Sequence, residues 1–395
     1  MSGALLGLLI AFFALAGPQN AYRPLMAYAL VLLIPLVILL TGVTRYVWIA
    51  AAFLLFVGVA IRGASYDSEY IGSDVLLLTD EAVGVLLDGN NPYEHDFTVS
   101  KNTPAYPPGY LLVYLPGHLL NELRLTEILS AGLVLMGFAW IAHLIKDDGP
   151  VAAMGLYASA PPLLALTIDG SNDTSMGAFL FVSLVLTFVA QRNSSGAILL
   201  LSGALMGVTL AFKQYAFPFW PLVIAYLFNQ RWRPDLKLAS RSFRVPAWTV
   251  YGTTSTAVAA LIVLPFFFWS PRDFVHDLLL FSSTTVHPIV EGWNVWAFLL
   301  RWQGWNADTW GKGLLPTLDV GLMVVVILVG LMLGTRRPSY TLTWGVVAWF
   351  VLMFFARWTT YAYFAGIAPV AMLIPFADRL VQAPGERPGE MAVKE

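Results

Sequence analysis

The sequence predicts an all-α, polytopic membrane protein. Three properties of the 395-residue chain lead to this prediction: 58% of the residues are hydrophobic, only 12% are charged, and the mean hydropathy is +0.71. Soluble domains carry about 25% charged residues, so this chain lacks the charge to cover itself with a solvated surface. The 14 tryptophans and 25 phenylalanines argue against disorder. A soluble globular enzyme is therefore excluded.

Several other classes of function are excluded by what the sequence lacks. It has no cysteine, so it can form no disulfide, no thiolate nucleophile and no Cys-ligated metal site. Its formal net charge of −2 provides no basic field for nucleic acid. Neither a dinucleotide-binding glycine motif, nor a Walker loop, nor a paired-histidine metal motif is present.

Apolar stretches recur along the chain at close to the roughly 20 residues that a membrane-spanning helix needs. About twelve spans are predicted, at 4–16, 24–42, 46–62, 127–145, 150–167, 174–190, 196–212, 215–229, 248–268, 315–334, 340–356 and 361–377. The first is expected to be a retained helix, because it lacks the basic n-region and cleavage site of a signal peptide. We therefore expect one transmembrane domain over 1–377, followed by a disordered cytoplasmic tail over 378–395.

The basic residues predict the orientation of these spans. Loops rich in Lys and Arg face the cytoplasm. The chain has two such basic blocks: the first contains Arg231, Arg233, Lys237, Arg241 and Arg244, and the second contains Arg336 and Arg337. Counting spans from these blocks places the long polar segments 63–107 and 269–314 on the outer face. The hydrophobic segment Tyr110–Leu120 is short and contains Pro116 and Gly117. We expect it to be re-entrant or interfacial; if it crosses, the orientation of one half is inverted.

The first outer loop is acidic and has helical periodicity. Eight of the 24 acids lie between Ala64 and Thr103, against the single base Lys101. A helix is predicted from Ser73 or Asp74 to about Asp88, with Gly89 ending it. Apolar residues recur on one face of this helix, as expected of an amphipathic helix on the membrane surface.

The same loop carries a family resemblance. Its residues Gly72-Ser73-Asp74, Thr79-Asp80-Glu81-Ala82, Gly89, Asn91-Pro92-Tyr93 and Tyr106-Pro107-Pro108 resemble the first outer loop of GT-C membrane glycosyltransferases. Among these, glycosyltransferase family 87, the polyprenyl-phosphate-dependent mannosyltransferase-like group, is the most similar. The resemblance covers about 70–116 and continues more loosely to about 220. It implies a GT-C-like fold, an inverting transfer, a catalytic loop acid at Asp74, and substrate contacts from Asn91, Tyr93 and Tyr106.

The looser part of the resemblance adds two places. Relatives carry a turn like Asn172-Asp173 that faces the site, which would make these residues substrate-binding; the alternative is a turn that only caps the next helix. Relatives also have a glycine-rich helix that ends in a lysine, here Lys213. A lysine at that depth is costly without a partner, so we expect it to bind the donor phosphate, although it could instead extend harmlessly to the interface.

Other polar residues complete the set of candidates. Asp80, Glu81 and His287 are alternative acid–base groups; the two acids could equally be solvated, and the histidine could be a satisfied interfacial residue. Arg357 ends an apolar stretch and is either an interfacial anchor or a second phosphate ligand, because its planar fork suits phosphate oxygens.

These observations together predict a function. An outer membrane face has no pool of nucleotide sugars, so a polyprenyl-phosphate sugar is the expected donor, and a lipid- or glycan-linked molecule the expected acceptor. The predicted enzyme is a hexosyltransferase, with mannose as the example, in a prokaryotic cell membrane. No nucleotide, redox cofactor or dedicated metal site is expected, although acidic clusters can recruit a divalent ion. The alternative is a transporter or flippase of lipid-linked sugars, which would place charges near the bilayer midplane in two repeated halves.

Overall fold

The computed structural model describes residues 44–64, 74–98, 103, 105–160, 163–164, 166, 171–238, 241–280, 291–292, 294–303, 315–356 and 358–382. These residues are mostly helical. In chain order the helices are α1 (Thr44–Ala64), α2 (Asp74–Leu87), α3 (Gly109–Leu119), α4 (Arg124–Ile145), α5 (Gly149–Ser159), α6 (Asp173–Arg192), α7 (Gly196–Phe212), α8 (Phe219–Asn229), α9 (Ala247–Trp269), α10 (Pro271–Val275), α11 (Val295–Gln303), α12 (Leu315–Leu333), α13 (Pro338–Phe355), α14 (Tyr361–Gly366) and α15 (Ala368–Leu380). Short 3-10 turns cover Pro92–Glu94 and Gln214–Ala216, and a π-helical turn covers His276–Leu280.

The helices have the length and surface of a membrane protein. Within the described residues, 5 helical segments are long and apolar enough to cross a bilayer, namely Arg124–Ile145, Asp173–Arg192, Ala247–Trp269, Pro338–Phe355 and Ala362–Leu380. Large apolar side chains are exposed along them and their neighbours, including Leu261 at 75% and Met332 at 83%. Such a surface suits lipid rather than water. The prediction of a helical membrane protein is confirmed, whereas the number twelve stays a prediction, because stretches 4–16 and 24–42 lie outside the described residues.

Three predicted spans differ from the helices that form. The stretch 150–167 is helical from Gly149 to Ser159 and again at 163–164 and 166. Pro161 and Pro162 lie between these parts, and proline disfavours helix at the residue before it. The stretch 215–229 becomes helical only at Phe219, after Pro218. The stretch 361–377 is divided into α14 and α15, and α15 continues to the buried Leu380, so the predicted start of the disordered tail at 378 is wrong.

Two small sheets supplement the helices. The antiparallel hairpin β1 (Asp235–Leu238) and β2 (Arg241–Arg244) pairs Asp235 with Arg244 and lies in the first basic block. The parallel pair β3 (Glu291–Gly292) and β4 (Trp358–Thr359) joins the second predicted outer loop to the segment after α13. The all-α prediction therefore holds for the bundle but missed these short strands.

Helix α6 lies at the centre of the bundle. In an apolar segment of 18 residues within this helix, 83% of the residues are buried, more than in the other four candidate spans among the described residues. It packs against α4, α7, α14 and α15. Gly177 makes the approach of α14 possible, because a Cβ atom there would lie 2.0 Å from the carbonyl oxygen of Gly366. The break between α14 and α15 therefore packs directly against the first turns of α6.

The basic blocks share one end of the bundle, which we name the basic end. There Gln230 Nε2 donates to the Arg336 carbonyl at 2.8 Å, so the two blocks are adjacent. The Arg379 guanidinium also donates to Asp147, and Ser339 Oγ donates to Asp378 at 2.7 Å. These contacts place the start of α5 and the end of α15 at the same level.

The opposite end, which we name the loop end, contains the starts of α2, α3 and α6 and the end of α7. Helix α3 has 11 residues, about 16 Å in length, against a hydrocarbon core of about 30 Å. It starts against the end of α7, since a Cβ on Gly109 would meet the Ala211 carbonyl oxygen at 2.6 Å. Further along, Tyr114 reaches Glu127 in the first turn of α4. This is the geometry expected of a re-entrant or interfacial segment.

Candidate functional site

Lys213 is at the centre of the polar residues of the loop end. It follows the last residue of α7 in extended conformation, with φ −152° and ψ 124°, and this turns its side chain into the bundle. The ammonium Nζ donates to Asp173 Oδ1 at 2.7 Å and to Asn172 Oδ1 at 2.8 Å. Lys213 is 0% exposed. The harmless alternative, in which Lys213 extends to the interface, is therefore wrong.

Three tyrosine rings surround the same ammonium. Nζ lies 4.6 Å from the ring centroid of Tyr106, 4.9 Å from that of Tyr363 and 5.5 Å from that of Tyr215. The negative faces of aromatic rings attract a cation at these distances. Lys213 is thus compensated by one carboxylate, one amide oxygen and three rings.

Asn172 and Asp173 do not serve only as a helix cap. Asn172 occupies the N-cap position of α6 without a side-chain capping bond. Its Oδ1 and that of Asp173 instead accept hydrogen bonds from Lys213 Nζ. Asp173 is the first residue of α6, where the helix dipole favours a negative charge. Ser171 Oγ donates to its second carboxylate oxygen at 3.0 Å. The Asp173 carboxylate is therefore held by three independent interactions.

Asp74 lies at the same end of the bundle as this cluster. It is the first residue of α2 and is exposed. Burial raises the pKa of the Tyr106 phenol well above its ordinary value, and the negative charges of Asp173 and Asp74 raise it further. Tyr106 is therefore within electrostatic range of the exposed Asp74 carboxylate, and its ring centroid is 4.6 Å from the Lys213 ammonium.

Asn91 and Tyr93 connect the turn after α2 to the same place. Asn91 Oδ1 accepts from the Tyr93 backbone N–H at 3.1 Å and so caps the short 3-10 turn. The Tyr93 hydroxyl donates to the Tyr106 carbonyl at 2.7 Å, and its ring packs edge-on against Phe274 at 4.9 Å. Tyr93 is buried. Its hydrogen bond holds Tyr106 in place, whereas its predicted contact with substrate stays a prediction.

The alternative acids of α2 are engaged elsewhere. Asp80 Oδ1 lies 2.7 Å from His118 Nδ1, which joins α2 to α3. Glu81 Oε1 lies 3.0 Å from His95 Nε2 and accepts from the Thr98 backbone N–H at 3.0 Å. Both acids therefore have structural partners that join α2 to neighbouring segments.

Two predicted site residues, His287 and Arg357, lie outside the described residues. Their described neighbours along the chain, Glu291 and Trp358, are paired in β3 and β4.

The structure also shows a buried acid that the sequence analysis missed. Glu127, in the first turn of α4, is 0% exposed. The hydroxyls of Tyr114 and Ser175 donate to its carboxyl oxygens, and the Ser175 backbone N–H donates to Oε2 at 3.2 Å. An acid at the start of a predicted span was the available signal. Ser175 is in the first turn of α6, so Glu127 lies on the inner side of the Lys213 cluster.

Asp277 is a second missed carboxylate. It is 4% exposed and lies in the π-helical turn of the second predicted outer loop, with His276 Nδ1 3.0 Å from Oδ1. Burial raises the pKa of its carboxyl above the ordinary range, and the adjacent histidine opposes this only in part. Its charge in turn contributes to a raised pKa of Tyr93, of which burial is the main cause.

The site thus combines an exposed carboxylate, a buried ammonium and several hydroxyls at one end of a bundle. Such a set can accept a proton at Asp74 and stabilise negative charge near Lys213. Among the described residues, no three His, Asp or Glu side chains are grouped to hold a metal ion. No protein-family model and no curated protein matches the chain.

Proposed function

We propose that this chain is a GT-C-type integral membrane glycosyltransferase. In this proposal it transfers a hexose such as mannose from a polyprenyl-phosphate donor to a lipid- or glycan-linked acceptor at the outer face of a prokaryotic membrane. The observation that supports the proposal is the buried Lys213 ammonium, held by Asn172 and Asp173 at the loop end, with the exposed Asp74 carboxylate at the start of α2 at the same end. These groups lie at the end opposite the two basic blocks, which the positive-inside rule assigns to the cytoplasm.

The two charges suit the two halves of an inverting transfer. Asp74 accepts the proton of the acceptor hydroxyl as its oxygen forms a bond to the anomeric carbon. The bond from that carbon to the phosphate oxygen breaks, and the phosphate leaves with the electron pair. Donors fixed beside the leaving oxygen stabilise the developing charge.

Lys213 can take part in this step without losing its structural partners. An ammonium has three donors, and Asn172 and Asp173 accept two of them. In the proposal the third donor binds a phosphate oxygen once the tyrosine rings separate to admit it, because Lys213 is 0% exposed in the structure. Because Asp173 already neutralises Lys213, we propose Arg357 as the second cation at the phosphate.

The test is sugar transfer from a purified polyprenyl-phosphate sugar by the protein in nanodiscs. Loss of a general base costs about 10²–10⁴ in rate, so Asp74→Asn should lose transfer to that extent. Asp80→Asn and Glu81→Gln are the matched controls and should remain active, because their carboxylates are engaged by His118 and His95. An active Asp74→Asn beside an inactive Asp80→Asn would assign the base to Asp80.

The buried charges also favour a second candidate, a transporter or flippase of lipid-linked sugars. Ionisable groups within a membrane bundle often mark a translocation path, and Glu127 is such a group. A flippase would move the donor lipid across proteoliposomes without releasing polyprenyl phosphate, whereas the proposed enzyme releases it.

A further inference from the structure

Four exposed arginines at the basic end lie on two loops that the fold brings together. We name them the arginine patch: Arg231 and Arg233 follow α8, and Arg336 and Arg337 lie between α12 and α13. Asn229 Nδ2 donates to Thr335 Oγ1 at 2.8 Å, and Gln230 Nε2 donates to the Arg336 carbonyl at 2.8 Å. Each of these bonds joins residues 106 apart in sequence, so the two basic loops are fixed side by side.

The acids of the basic end do not neutralise the arginine patch. The described acids there accept from other donors, which are Arg379 for Asp147, Arg244 for Asp235, the Trp48 indole for Asp148 and the Ser339 hydroxyl for Asp378. In the part of the chain that the structure describes, no carboxylate lies within ion-pair distance of the patch. Like charges held together repel one another, and an anion between the two loops would remove that repulsion.

Exposed aromatic rings indicate that the arginine patch lies at the level of the lipid headgroups. Tyr340, in the first turn of α13, is 50% exposed, and its ring centroid lies 5.9 Å from Arg337 Cζ. Trp248, in the first turn of α9, is 38% exposed and packs edge-on against Phe228 in the last turn of α8, with ring centroids 6.0 Å apart. Tyr and Trp rings at helix ends are typical of the membrane–water interface. Lipid phosphates are the anions found at that level.

We propose that the arginine patch binds the headgroup of an anionic phospholipid. A guanidinium group binds phosphate oxygens in a bidentate geometry, and basic clusters directly beside a membrane-spanning helix bind anionic headgroups. One headgroup held between the two loops interacts with arginines of both. The inference is independent of the proposed function, because it assigns no part of the patch to sugar transfer.

Lipid binding can be counted directly. The purified protein in a neutral detergent is titrated with phosphatidylglycerol, and native mass spectrometry gives the number of bound lipids and the Kd of each. Arg231→Gln and Arg336→Gln remove one charge from each loop, and each should weaken the tightest binding about fivefold, the contribution of one basic residue beside an anionic lipid surface. The two changes together should weaken it about 25-fold, the product of the two losses.

Arg272→Gln is the matched control. Arg272 is also an exposed arginine, but it lies in α10, beyond the end of α9 that is far from the patch. This variant should bind phosphatidylglycerol like the wild type. Phosphatidylcholine, whose headgroup has no net charge, is the matched control lipid and should bind more weakly than phosphatidylglycerol.

Four results would overturn the inference. One is equally tight binding of phosphatidylcholine and phosphatidylglycerol, and another is an equal loss of affinity in Arg272→Gln. A third is that Arg231→Gln and Arg336→Gln each abolish a different bound lipid, because the two loops would then not share a headgroup. The last is binding that occurs only when Glu386, Glu390 and Glu395 are changed to Gln, because the acids of the C-terminal tail would then be the natural occupant of the patch.

Discussion

Removal of one partner of the Lys213–Asp173 pair should be strongly destabilising. The perturbation is Asp173→Asn, which keeps the shape of the side chain and removes its charge. The Lys213 ammonium is 0% exposed and lies 2.7 Å from the carboxylate. At that distance and an effective dielectric constant of about 20, the attraction is about 6 kcal/mol. Loss of one member of a buried pair costs about 3–5 kcal/mol, because the other charge stays buried without compensation.

The chain offers an exposed pair of the same kind as a control. Arg244 Nε lies 2.9 Å from Asp235 Oδ1, with side chains 76% and 52% exposed. Exposed pairs contribute about 0–1 kcal/mol, so Asp235→Asn should change the free energy of unfolding little. The measurement is reversible unfolding in mixed micelles by SDS titration, followed by tryptophan fluorescence.

The double variant Lys213→Met/Asp173→Asn completes the experiment. With both charges removed, no uncompensated ion remains in the bundle, so the double variant should be more stable than Asp173→Asn alone. Two results would contradict this expectation. One is a loss of unfolding free energy in Asp173→Asn no larger than in Asp235→Asn; the other is a double variant whose loss equals the sum of the losses in Lys213→Met and Asp173→Asn.

Two further predictions concern Asp277 and the orientation of the chain. A carboxyl whose pKa is raised on folding destabilises the fold at high pH, so Asp277→Asn should be more stable than the wild type above the pKa of the folded carboxyl. This gain in stability should disappear as the pH falls below about 4, where the carboxyl of the unfolded chain is also protonated. Thermal unfolding of both proteins over a pH series measures the gain, and a difference that stays constant across the series would contradict the prediction. The chain has no cysteine, so Asp88→Cys and Asn193→Cys, both at exposed positions, give single labels at the loop end and the basic end. An impermeant maleimide added to intact cells should label only Asp88→Cys, and labelling of both from the same side would contradict the proposed orientation.

The sequence by itself determined the features that depend on local pattern. Hydropathy indicated a helical membrane protein, because apolar runs of sufficient length need no knowledge of their neighbours. The same holds for the helix that starts at Asp74 and for its end at Gly89, which has φ +79°. A periodic apolar face and a glycine that tolerates left-handed backbone are visible in the residues alone.

Only the tertiary structure decided which polar side chains meet. Lys213 and Asp173 are 40 residues apart, and His118 and Asp80 are 38 apart. Glu127 was predicted only as the start of a span, yet its partner Ser175 is 48 residues away. Such partners are selected by how the helices pack around α6, where buried polar groups must find one another because lipid offers them none. The sequence pattern of one segment does not show how that segment packs against others. The sequence therefore identified Lys213 as costly to bury, and only the fold identified the residues that compensate its charge.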